Sequence, residues 1–365
     1  MADHMPNDLL TEILARLPVV SLLRFKSVCK PWYSLITSPS FVTKHLNQSI
    51  TNTESNGDKL LLRLYDDKKE RYLLLNDDDE FGDEYSELEL PFELPFGCYR
   101  VVGSYNGLLC LSDDYYSSGQ PQIIIWNPST RNSVIILPTA PKPQCPYVSV
   151  YGFGAHPTTQ EYKVIRLEYK LQSLFKLPPK VEIYTQGTRS WRGISSAPPH
   201  CFLTSRWSQA FLNGVVHWVY ESFCECVPPN LIMSFDMASE SFSVLMLPTT
   251  LAEEPWTPIL YSVKLFGESL ALFCDGQSYD NTCCIWVMKE YGVAESWTKL
   301  FTFKILGMPH KIFGFRKNGE VLQASKTSLA SYAPATETLR DTGIMISLSA
   351  LVSFDSFRET LVLVE

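Results

Sequence analysis

The feature that most constrains the fold of this 365-residue sequence is an internal repeat of about 50 residues. A glycine-centred turn followed by an apolar run appears at Gly107, Gly214, Gly267 and Gly319. The gaps between these glycines are 107, 53 and 52 residues, so the first gap has room for two repeats. Units of this length cannot bury their apolar faces alone, which indicates an array in which each repeat covers its neighbours.

A second marker recurs with the same period. It is an aromatic residue near the end of a strand-like run, followed by a polar turn, and it occurs at Trp126, Tyr184, Phe235, Trp286 and Tyr332. Each repeat holds four such runs, which in the second copy lie roughly at 149–155, 162–169, 181–185 and 190–195. Four short strands repeated at this period predict a β-propeller.

Five repeats are clear between residues 99 and 341. The hairpin at 59–76 and the tail at 344–354 each lack a full set of strands. We expect them to combine into a sixth blade, because sharing one blade between the two ends of the chain leaves no open sheet edge. The predicted fold of residues 59–365 is therefore an all-β propeller of six blades, closed by its N- and C-terminal segments.

The longest connections of this propeller join the second strand to the third and one blade to the next. Successive antiparallel strands place all of these connections at one end of the propeller, the long-loop face, and long loops on a rigid scaffold commonly carry binding. The alternative is that they are tolerated insertions. The candidate contacts for a binding partner are the aromatic residues Tyr115, Tyr116, Phe175, Trp207, Phe223, Trp256 and Tyr279.

Residues 1–46 have a different, helical pattern. One apolar stripe consists of Leu9, Leu10, Ile13, Leu14 and Leu17. Pro18 ends this first helix, and Ser21 is a candidate N-cap for a second helix over residues 22–30. Pro31 suits the first turn of a third helix, which Ser38-Pro39 ends. The sequence predicts a small three-helix domain.

The polar, aperiodic segment NQSITNTESNGD at 47–58 separates the two patterns and is predicted to be a linker. The domain organisation is therefore 1–46 helical, 47–58 linker and 59–365 propeller. Residues 6–36 carry more apolar side chains than three short helices can hide among themselves. Packing on the propeller is one explanation, but the polar linker favours a partner chain.

Charge and composition exclude several classes of function. Hydrophobic residues make up 45% and charged residues 19% of the chain, as in ordinary globular proteins. The net charge of −8 comes without a basic stripe, which argues against nucleic-acid binding. The sequence shows no signal peptide and no apolar run long enough to span a membrane, so we expect a protein of the cytoplasm and/or nucleus with no membrane partner. Its ten scattered cysteines are expected to be reduced.

No catalytic or metal-binding pattern stands out. Cys224 and Cys226 near two histidines, or the Cys283-Cys284 pair, lack the second matching pair of a structural zinc site. The acidic stretch Asn76–Glu80, together with Asp83, Glu84 and Glu87, has the composition of a solvated loop rather than of paired glycosidase carboxylates. Nucleophile-elbow, phosphate-loop and zinc-protease motifs are missing from the sequence. We expect no cofactor, no metal and no catalysis by this chain.

The helical segment MPNDLLTEILARLPVVSLLRFKSVCKPWYSLITSPSF closely resembles the F-box. The resemblance rests on Pro6, the run from Leu9 to Pro18, the Leu22-Leu23-Arg24 segment and the Val28-Cys29-Lys30-x-Trp32 signature. Residues 99–303 also resemble the F-box-associated, kelch-like region of plant F-box proteins, through phrases such as NGLLCL, YGFGAHPTTQEYKV, FLNGVVHWV and FDMASESF.

This resemblance implies a non-catalytic substrate receptor of a cullin-based, SCF-type ubiquitin ligase. The F-box would bind a Skp-family adaptor and through it a cullin, and the propeller would hold a protein substrate. Carried over to this sequence, the adaptor-binding residues are Pro6, Leu9, Leu10, Ile13, Leu14, Leu17, Pro18, Leu22, Leu23, Val28, Cys29, Trp32, Leu35 and Ile36. Some of them must form the internal core instead, and the sequence does not divide the two sets. The alternative is a sugar-binding propeller or a glycan-active enzyme with an incidental helical start.

Overall fold

The computed structural model describes most of the chain. The described residues are 6–51, 59–66, 69–78, 80–92, 98–113, 122–138, 147–170, 177–196, 198, 202–203, 209–221, 231–247, 259–276, 282–304, 312–325, 327–347 and 351–364.

The chain begins with four helices rather than the three that the sequence predicted. They are α1 (Asn7–Ala15), α2 (Val19–Phe25), α3 (Lys30–Thr37) and α4 (Pro39–Thr51). Helix α2 begins at Val19 directly after Pro18, so Ser21 lies inside the helix and the prediction that it forms the N-cap was wrong. Pro31 lies in the first turn of α3, as predicted, because a proline there leaves no helical hydrogen bond unmade.

The missed fourth helix starts at the dipeptide that was interpreted only as a stop. The hydroxyl oxygen of Ser38 accepts a hydrogen bond of 3.3 Å from the backbone N–H of Phe41, which is an N-cap interaction. Pro39 then occupies the first helical position. Helix α4 continues through Thr51, so residues 47–51 of the predicted linker are helical, and residues 52–58 lie outside the described part of the chain.

The described residues form 25 strands in six antiparallel sheets, the blades. The first blade contains β1 (Lys59–Asp66), β2 (Lys69–Asn76) and β3 (Tyr85–Leu88). The second contains β4 (Arg100–Tyr105), β5 (Leu108–Ser112), β6 (Ile123–Asn127) and β7 (Asn132–Ile136). The third contains β8 (Tyr147–Ala155), β9 (Tyr162–Lys170), β10 (Lys180–Thr185) and β11 (Ser190–Gly193).

The remaining blades follow the same order. The fourth contains β12 (Phe202–Leu203), β13 (Ala210–Leu212), β14 (Val215–Glu221), β15 (Leu231–Asp236) and β16 (Ser241–Met246). The fifth contains β17 (Ile259–Phe266), β18 (Ser269–Gly276), β19 (Thr282–Met288) and β20 (Trp297–Lys304), with a 3₁₀ turn at Ala294–Ser296. The sixth contains β21 (Ile312–Phe315), β22 (Val321–Ser325), β23 (Ser328–Ala333) and β24 (Thr338–Met345).

The last strand, β25 (Leu351–Phe357), closes the propeller by pairing with β1 of the first blade, so the predicted six-bladed architecture and its shared closing blade are confirmed. Around the centre, β25 contacts β4, β4 contacts β8, and the ring continues through β14, β17 and β21 back to β25. The bounds predicted for the closing segment, 344–354, were too early in the sequence. Strand β24 of the sixth blade extends to Met345, and the closing strand starts at Leu351 and ends at Phe357.

The first blade was hard to recognise because it lacks the sequence marker of the others. At the position equivalent to Trp126, next to the end of the third strand of the blade, β2 carries Leu75. The acidic stretch after β2 is mainly the solvated loop that was expected, because Asp78, Glu80, Asp83 and Glu84 are exposed, but two of its acidic residues belong to the blade structure. Asp77 is 2% exposed and forms an ion pair with Arg316, and Glu87 lies in β3, where it pairs with Arg71.

The core lies between the blades. One cluster joins Leu62 and Leu73 of the first blade to Leu322 of the sixth, and another joins Leu108 of the second blade to Phe153 of the third. The repeated aromatic residues fill these layers, with Trp126 and Phe235 fully buried. Each blade therefore covers the apolar face of the next, as the period predicted.

Candidate functional site

The helical domain has a small core of its own. Leu14, Leu22, Ile36 and Phe41 are at most 2% exposed and pack together with Ala15 and Val19. Burying a side chain of this size contributes about 1.5–3 kcal/mol. The three interior members of the carried-over adaptor set, Leu14, Leu22 and Ile36, therefore hold the helices together and are not accessible to a partner in this fold.

A second group of apolar residues on the same helices faces solvent. Leu9 is 56%, Ile13 48% and Val28 61% exposed. Leu9 and Ile13 are four residues apart on α1, so they lie on one side of the helix. We call Leu9, Ile13 and Val28 the exposed triad. Val20 and Tyr33 are also about half exposed, and the sequence comparison with the F-box did not select them.

The structure thus divides the predicted adaptor set into three groups. Six residues are exposed: Pro6, Leu9, Ile13, Pro18, Val28 and Cys29. Five are partly buried against the helical core: Leu10, Leu17, Leu23, Trp32 and Leu35. The indole ring of Trp32 packs edge-on against Phe25, with ring centroids 5.2 Å apart, and this contact fixes its orientation at the rim of the core.

Helix α4 fastens the other helices from one side. The Nε2 atom of His45 lies 3.0 Å from the carbonyl oxygen of Leu17, and its ring stacks on Phe41. Burial lowers the pKa of His45, so the ring is neutral near pH 7. Lys44 pairs with Glu12 of α1, and this hydrogen bond lowers the pKa of the Glu12 carboxyl. The missed helix therefore contributes to holding α1 in place.

The C-terminal segment of the propeller enters this helical core. Leu361 is 1% exposed and belongs to the same cluster as Leu14, Leu22 and Phe41. It lies four residues beyond the end of β25. We call residues 358–364 the strap, because they connect the closing blade, the helical core and the second blade.

On the propeller side, the strap is held by buried polar contacts. The side-chain amide of Asn127 donates to the carbonyl oxygens of Thr360 and Val362 over 3.1 and 2.8 Å. The hydroxyl of fully buried Thr360 donates to the carbonyl oxygen of Asn106 over 3.0 Å. Gly107 makes room for the strap, because a Cβ atom there would lie 2.5 Å from the carbonyl oxygen of Arg358.

These anchors identify the end of the propeller to which the helices are attached. Asn106 and Gly107 form the turn between β4 and β5, and Asn127 begins the turn between β6 and β7. The first of these turns joins the first strand of the blade to the second, and the other joins the third strand to the fourth. Because antiparallel strands alternate in direction, the long second-to-third connections emerge at the opposite end. The helical domain is therefore fastened to the short-turn end.

The predicted partner contacts on the long-loop face cannot be placed. Tyr115, Tyr116, Phe175, Trp207, Phe223, Trp256 and Tyr279 all lie outside the described residues. The same holds for Cys224 and Cys226. Cys283 is buried in the fifth blade and Cys284 is partly buried. Within the described ranges, no group of three or more His, Cys, Asp or Glu side chains is arranged to hold a metal ion.

None of the described helices is both long and apolar enough to cross a lipid bilayer.

Comparison with known protein families identifies both the helical domain and the propeller. The model of the F-box domain matches residues 3–44, and that of the F-box associated beta propeller domain matches residues 83–346. The chain belongs to the F-box proteins with an F-box-associated propeller. The F-box protein CPR1 of Arabidopsis thaliana is 30% identical over 318 residues, which cover 81% of this chain and 72% of the relative.

Other similar proteins add to this comparison. An F-box/kelch-repeat protein of Arabidopsis thaliana is 30% identical over 319 residues, covering 82% of this chain and 79% of the relative. Among solved structures, apo AztD from Citrobacter koseri matches with a TM-score of 0.46 and 9% identity over 83% of this chain and 99% of that one. A likeness at that level indicates nothing about function.

Proposed function

We propose that this F-box protein is the substrate receptor of an SCF-type ubiquitin ligase, acting in the cytoplasm and/or nucleus. Its F-box binds a Skp-family adaptor, which connects it to a cullin, and its propeller holds the protein to be ubiquitinated. The observation that carries the proposal is the exposed triad, three large apolar side chains of the F-box that the propeller and the strap leave in solvent. Apolar residues on a helix surface are the usual anchors of a helical interface.

The proposed adaptor interface centres on Leu9 and Ile13 of α1 together with Val28. Pro6, Pro18 and Cys29, which are also exposed, lie near these residues in sequence and are assigned to its rim. The partly buried Trp32 and Leu35, which pack against the helical core, are proposed to contribute to the same interface. This assignment keeps the interior residues Leu14, Leu22 and Ile36 for the core.

The receptor itself supplies no nucleophile and no general base in this proposal. Its contribution is effective concentration: a substrate held on the propeller presents its lysines to a ubiquitin-charged enzyme bound elsewhere in the complex, so that the transfer becomes nearly intramolecular. Such a role requires that the two binding surfaces keep a defined separation. The strap supports the proposal, because it joins the two domains through a shared core.

The substrate surface is proposed to be the long-loop face. Connections at that end vary in length from blade to blade, whereas the two short turns of the second blade at the other end hold the strap. A rigid scaffold with variable loops is a common arrangement for selective binding. The seven aromatic candidates named from the sequence remain proposed contacts.

The adaptor half of the proposal is tested with the double variant Leu9→Ala/Ile13→Ala. Both residues are exposed, so the variant keeps its fold, and we expect its affinity for a purified Skp-family adaptor to fall at least about tenfold in calorimetry. The matched control is Leu339→Ala, another exposed leucine, located on β24 of the propeller. Equal adaptor affinity of the double variant and the control would remove the basis of the proposal.

The substrate half is tested by proximity labelling in cells. The same Leu9→Ala/Ile13→Ala variant, uncoupled from the ligase, should retain bound substrate and label it more strongly than the parent protein does. The labelled protein should also become more abundant in cells that express the variant. If residues 59–365 instead gave a reproducible glycan-array signal or glycosidase turnover, the sugar-binding or glycan-active alternative would be favoured.

A further inference from the structure

We propose that the C-terminal strap orients the F-box on the propeller and that Leu361 is the residue through which the strap holds the F-box core. The inference rests on the proposed receptor function but goes beyond it, because it assigns a role to a segment that is not assigned to either proposed binding surface. The strap makes one continuous connection: β25 before it closes the propeller, and Leu361 within it completes the F-box core.

The first step of the argument is that the F-box core is incomplete without the C-terminus. Leu361 is separated from α4 by more than 300 residues of sequence, yet it is buried among F-box side chains to the same degree as Leu14 and Phe41. Removing a leucine from such a position leaves a cavity, and the surrounding side chains lose their contacts. The orientation of the F-box is therefore coupled to the position of residue 361.

The second step is that residue 361 cannot move independently of the propeller. Its neighbours on both sides are fixed: Thr360 donates to Asn106, and the carbonyl oxygens of Thr360 and Val362 accept from Asn127. Asn127 and Thr360 are fully buried, so breaking these hydrogen bonds leaves polar groups without water to replace them. Val362 and Val364 also pack against the core between the second and third blades.

The third step concerns the start of the propeller. Lys59, the first residue of β1, forms an ion pair of 2.5 Å with Glu359 of the strap. The strap is thus bound to β1, to two turns of the second blade and to the F-box core at once. A segment held at three places restricts rotation of the F-box, whereas a chain connection at α4 alone would permit it. The strap therefore sets the direction in which the exposed triad presents the adaptor.

The test uses two full-length variants that act at opposite ends of the strap. Leu361→Asp introduces a charge into the F-box core, and Asn127→Ala removes the propeller anchor without touching the F-box. Leu361→Met is the conservative control for the first, and Leu339→Ala, an exposed leucine, is the control for a general effect of substitution. Bio-orthogonal spin labels at Ser34 of α3 and Thr298 of β20, both exposed, report the distance between the two domains.

We expect a single narrow distance distribution for the parent protein, Leu361→Met and Leu339→Ala, and a broadened distribution for Leu361→Asp and Asn127→Ala. Amide hydrogen exchange should accelerate at least about tenfold in α1–α4 of Leu361→Asp but stay unchanged in α1–α4 of Asn127→Ala. Asn127→Ala thus separates orientation from F-box folding. A narrow, unshifted distribution in Asn127→Ala, with folded blades, would overturn the inference.

The adaptor measurement keeps this result distinct from the proposed function. We expect Asn127→Ala to bind a purified Skp-family adaptor with an affinity within about twofold of the parent, because the exposed triad is intact. If the parent protein does not bind the adaptor, the receptor function fails whereas the distance distributions still test the strap. If the adaptor binds and the distributions do not broaden, the strap inference alone fails.

Discussion

At the scale of single residues, helix α1 illustrates how one apolar stripe serves two purposes. Leu9, Leu10, Ile13, Leu14 and Leu17 form one pattern in the sequence, but Leu14 is buried and Leu9 and Ile13 are exposed. The division depends on where α4 and the strap cover the helix. A variant of each type should therefore behave differently.

Leu14→Ala should lower the free energy of unfolding of the F-box by about 2–5 kcal/mol, because it removes a core side chain and leaves a cavity. Native-state hydrogen exchange of α1–α4 measures this loss. Leu9→Ala should change the same quantity by less than about 1 kcal/mol, because its side chain is mostly in solvent. Similar losses for the two variants would contradict the division between core and surface.

His217 makes a second residue-scale prediction, on pH. Its imidazole lies 2.8 Å from the hydroxyl of Tyr291 and 3.2 Å from the carbonyl oxygen of Ala210, and burial lowers its pKa to about 4. The unfolded chain, with a histidine pKa near 6.5, binds the proton first. The contribution of His217 to stability is therefore complete above about pH 6.5 and is lost as the pH falls towards about 4, by about 3 kcal/mol in total.

His217→Gln should flatten the dependence of unfolding free energy on pH between about 4 and 6.5. Urea unfolding of the parent protein and the variant at several pH values measures this slope. Tyr291→Phe is the matched control: it removes the hydroxyl partner but keeps the buried imidazole, so most of the slope should remain. An unchanged slope in His217→Gln would show that other groups cause the pH dependence.

At the scale of elements, the first and sixth blades meet at a buried ion pair that the sequence did not reveal. The guanidinium of Arg316, after β21, donates to Asp77, after β2, over 2.9 Å, and also to Glu320 over 2.7 Å. Its Cζ atom lies over the ring of Phe81, 4.3 Å from the ring centroid. The second carboxylate oxygen of Asp77 accepts from the backbone N–H of Lys317 over 2.8 Å. This cluster links two neighbouring blades.

Asp77→Ala should destabilise the propeller by about 3 kcal/mol, at the low end for a broken buried pair, because Glu320 still neutralises Arg316. Glu89→Gln is the control, since its ion pair with Arg131 is almost fully exposed and should contribute less than about 1 kcal/mol. Denaturant unfolding followed by tryptophan fluorescence compares them. Equal, small effects would mean that this contact does not help to hold the blades together.

The closing strand gives a further prediction at this scale. Removing residues 351–365 deletes β25 and leaves β1 with an unpaired edge, so we expect aggregation and loss of a cooperative thermal transition. Removing only residues 358–365 deletes the strap and leaves the F-box core without Leu361, but β25 stays paired with β1, so the propeller of this shorter truncation should still melt cooperatively. Light scattering and circular dichroism distinguish the two. Cooperative melting of the longer truncation would show that closure does not need β25.

At the scale of the whole molecule, the strap makes the two domains depend on each other. Deleting residues 1–51 removes the side chains that bury Leu361 and exposes this leucine on the propeller surface. The deletion variant should bind a hydrophobic dye and self-associate more than the parent protein does, and adding Leu361→Ser should reverse both effects. Dye fluorescence and sedimentation velocity provide the measurement. No difference between the deletion variants with Leu361 and with Leu361→Ser would argue against a shared core.

Much of this architecture could be predicted because the repeat depends on short sequence patterns at turns and strands. The turns at Asn106-Gly107 and Asn213-Gly214 adopt positive φ values, as short hairpin turns require, and these same dipeptides revealed the repeat. The fourth strand of the first blade, β3, was not predicted from the sequence. Leu75 takes the place of the aromatic marker in this blade, and β3 lies in an acidic stretch. Helix α4 was missed because Ser38-Pro39 was interpreted as the end of one helix and not also as the beginning of the next.

The sequence by itself determined the period of the propeller, the shared closing blade and the F-box, because turns, strand alternation and helical stripes depend on residues close together in the chain. Only the tertiary structure decided which F-box leucines are buried, which acidic residue pairs with Arg316, and that Leu361 completes a core formed by residues near the N-terminus. The contacts of Arg316 with Asp77 and of Leu361 with the F-box join segments more than 200 residues apart. Closure of the propeller ring and the position of the strap bring these residues together. A sequence pattern over a few neighbouring residues cannot predict such a contact.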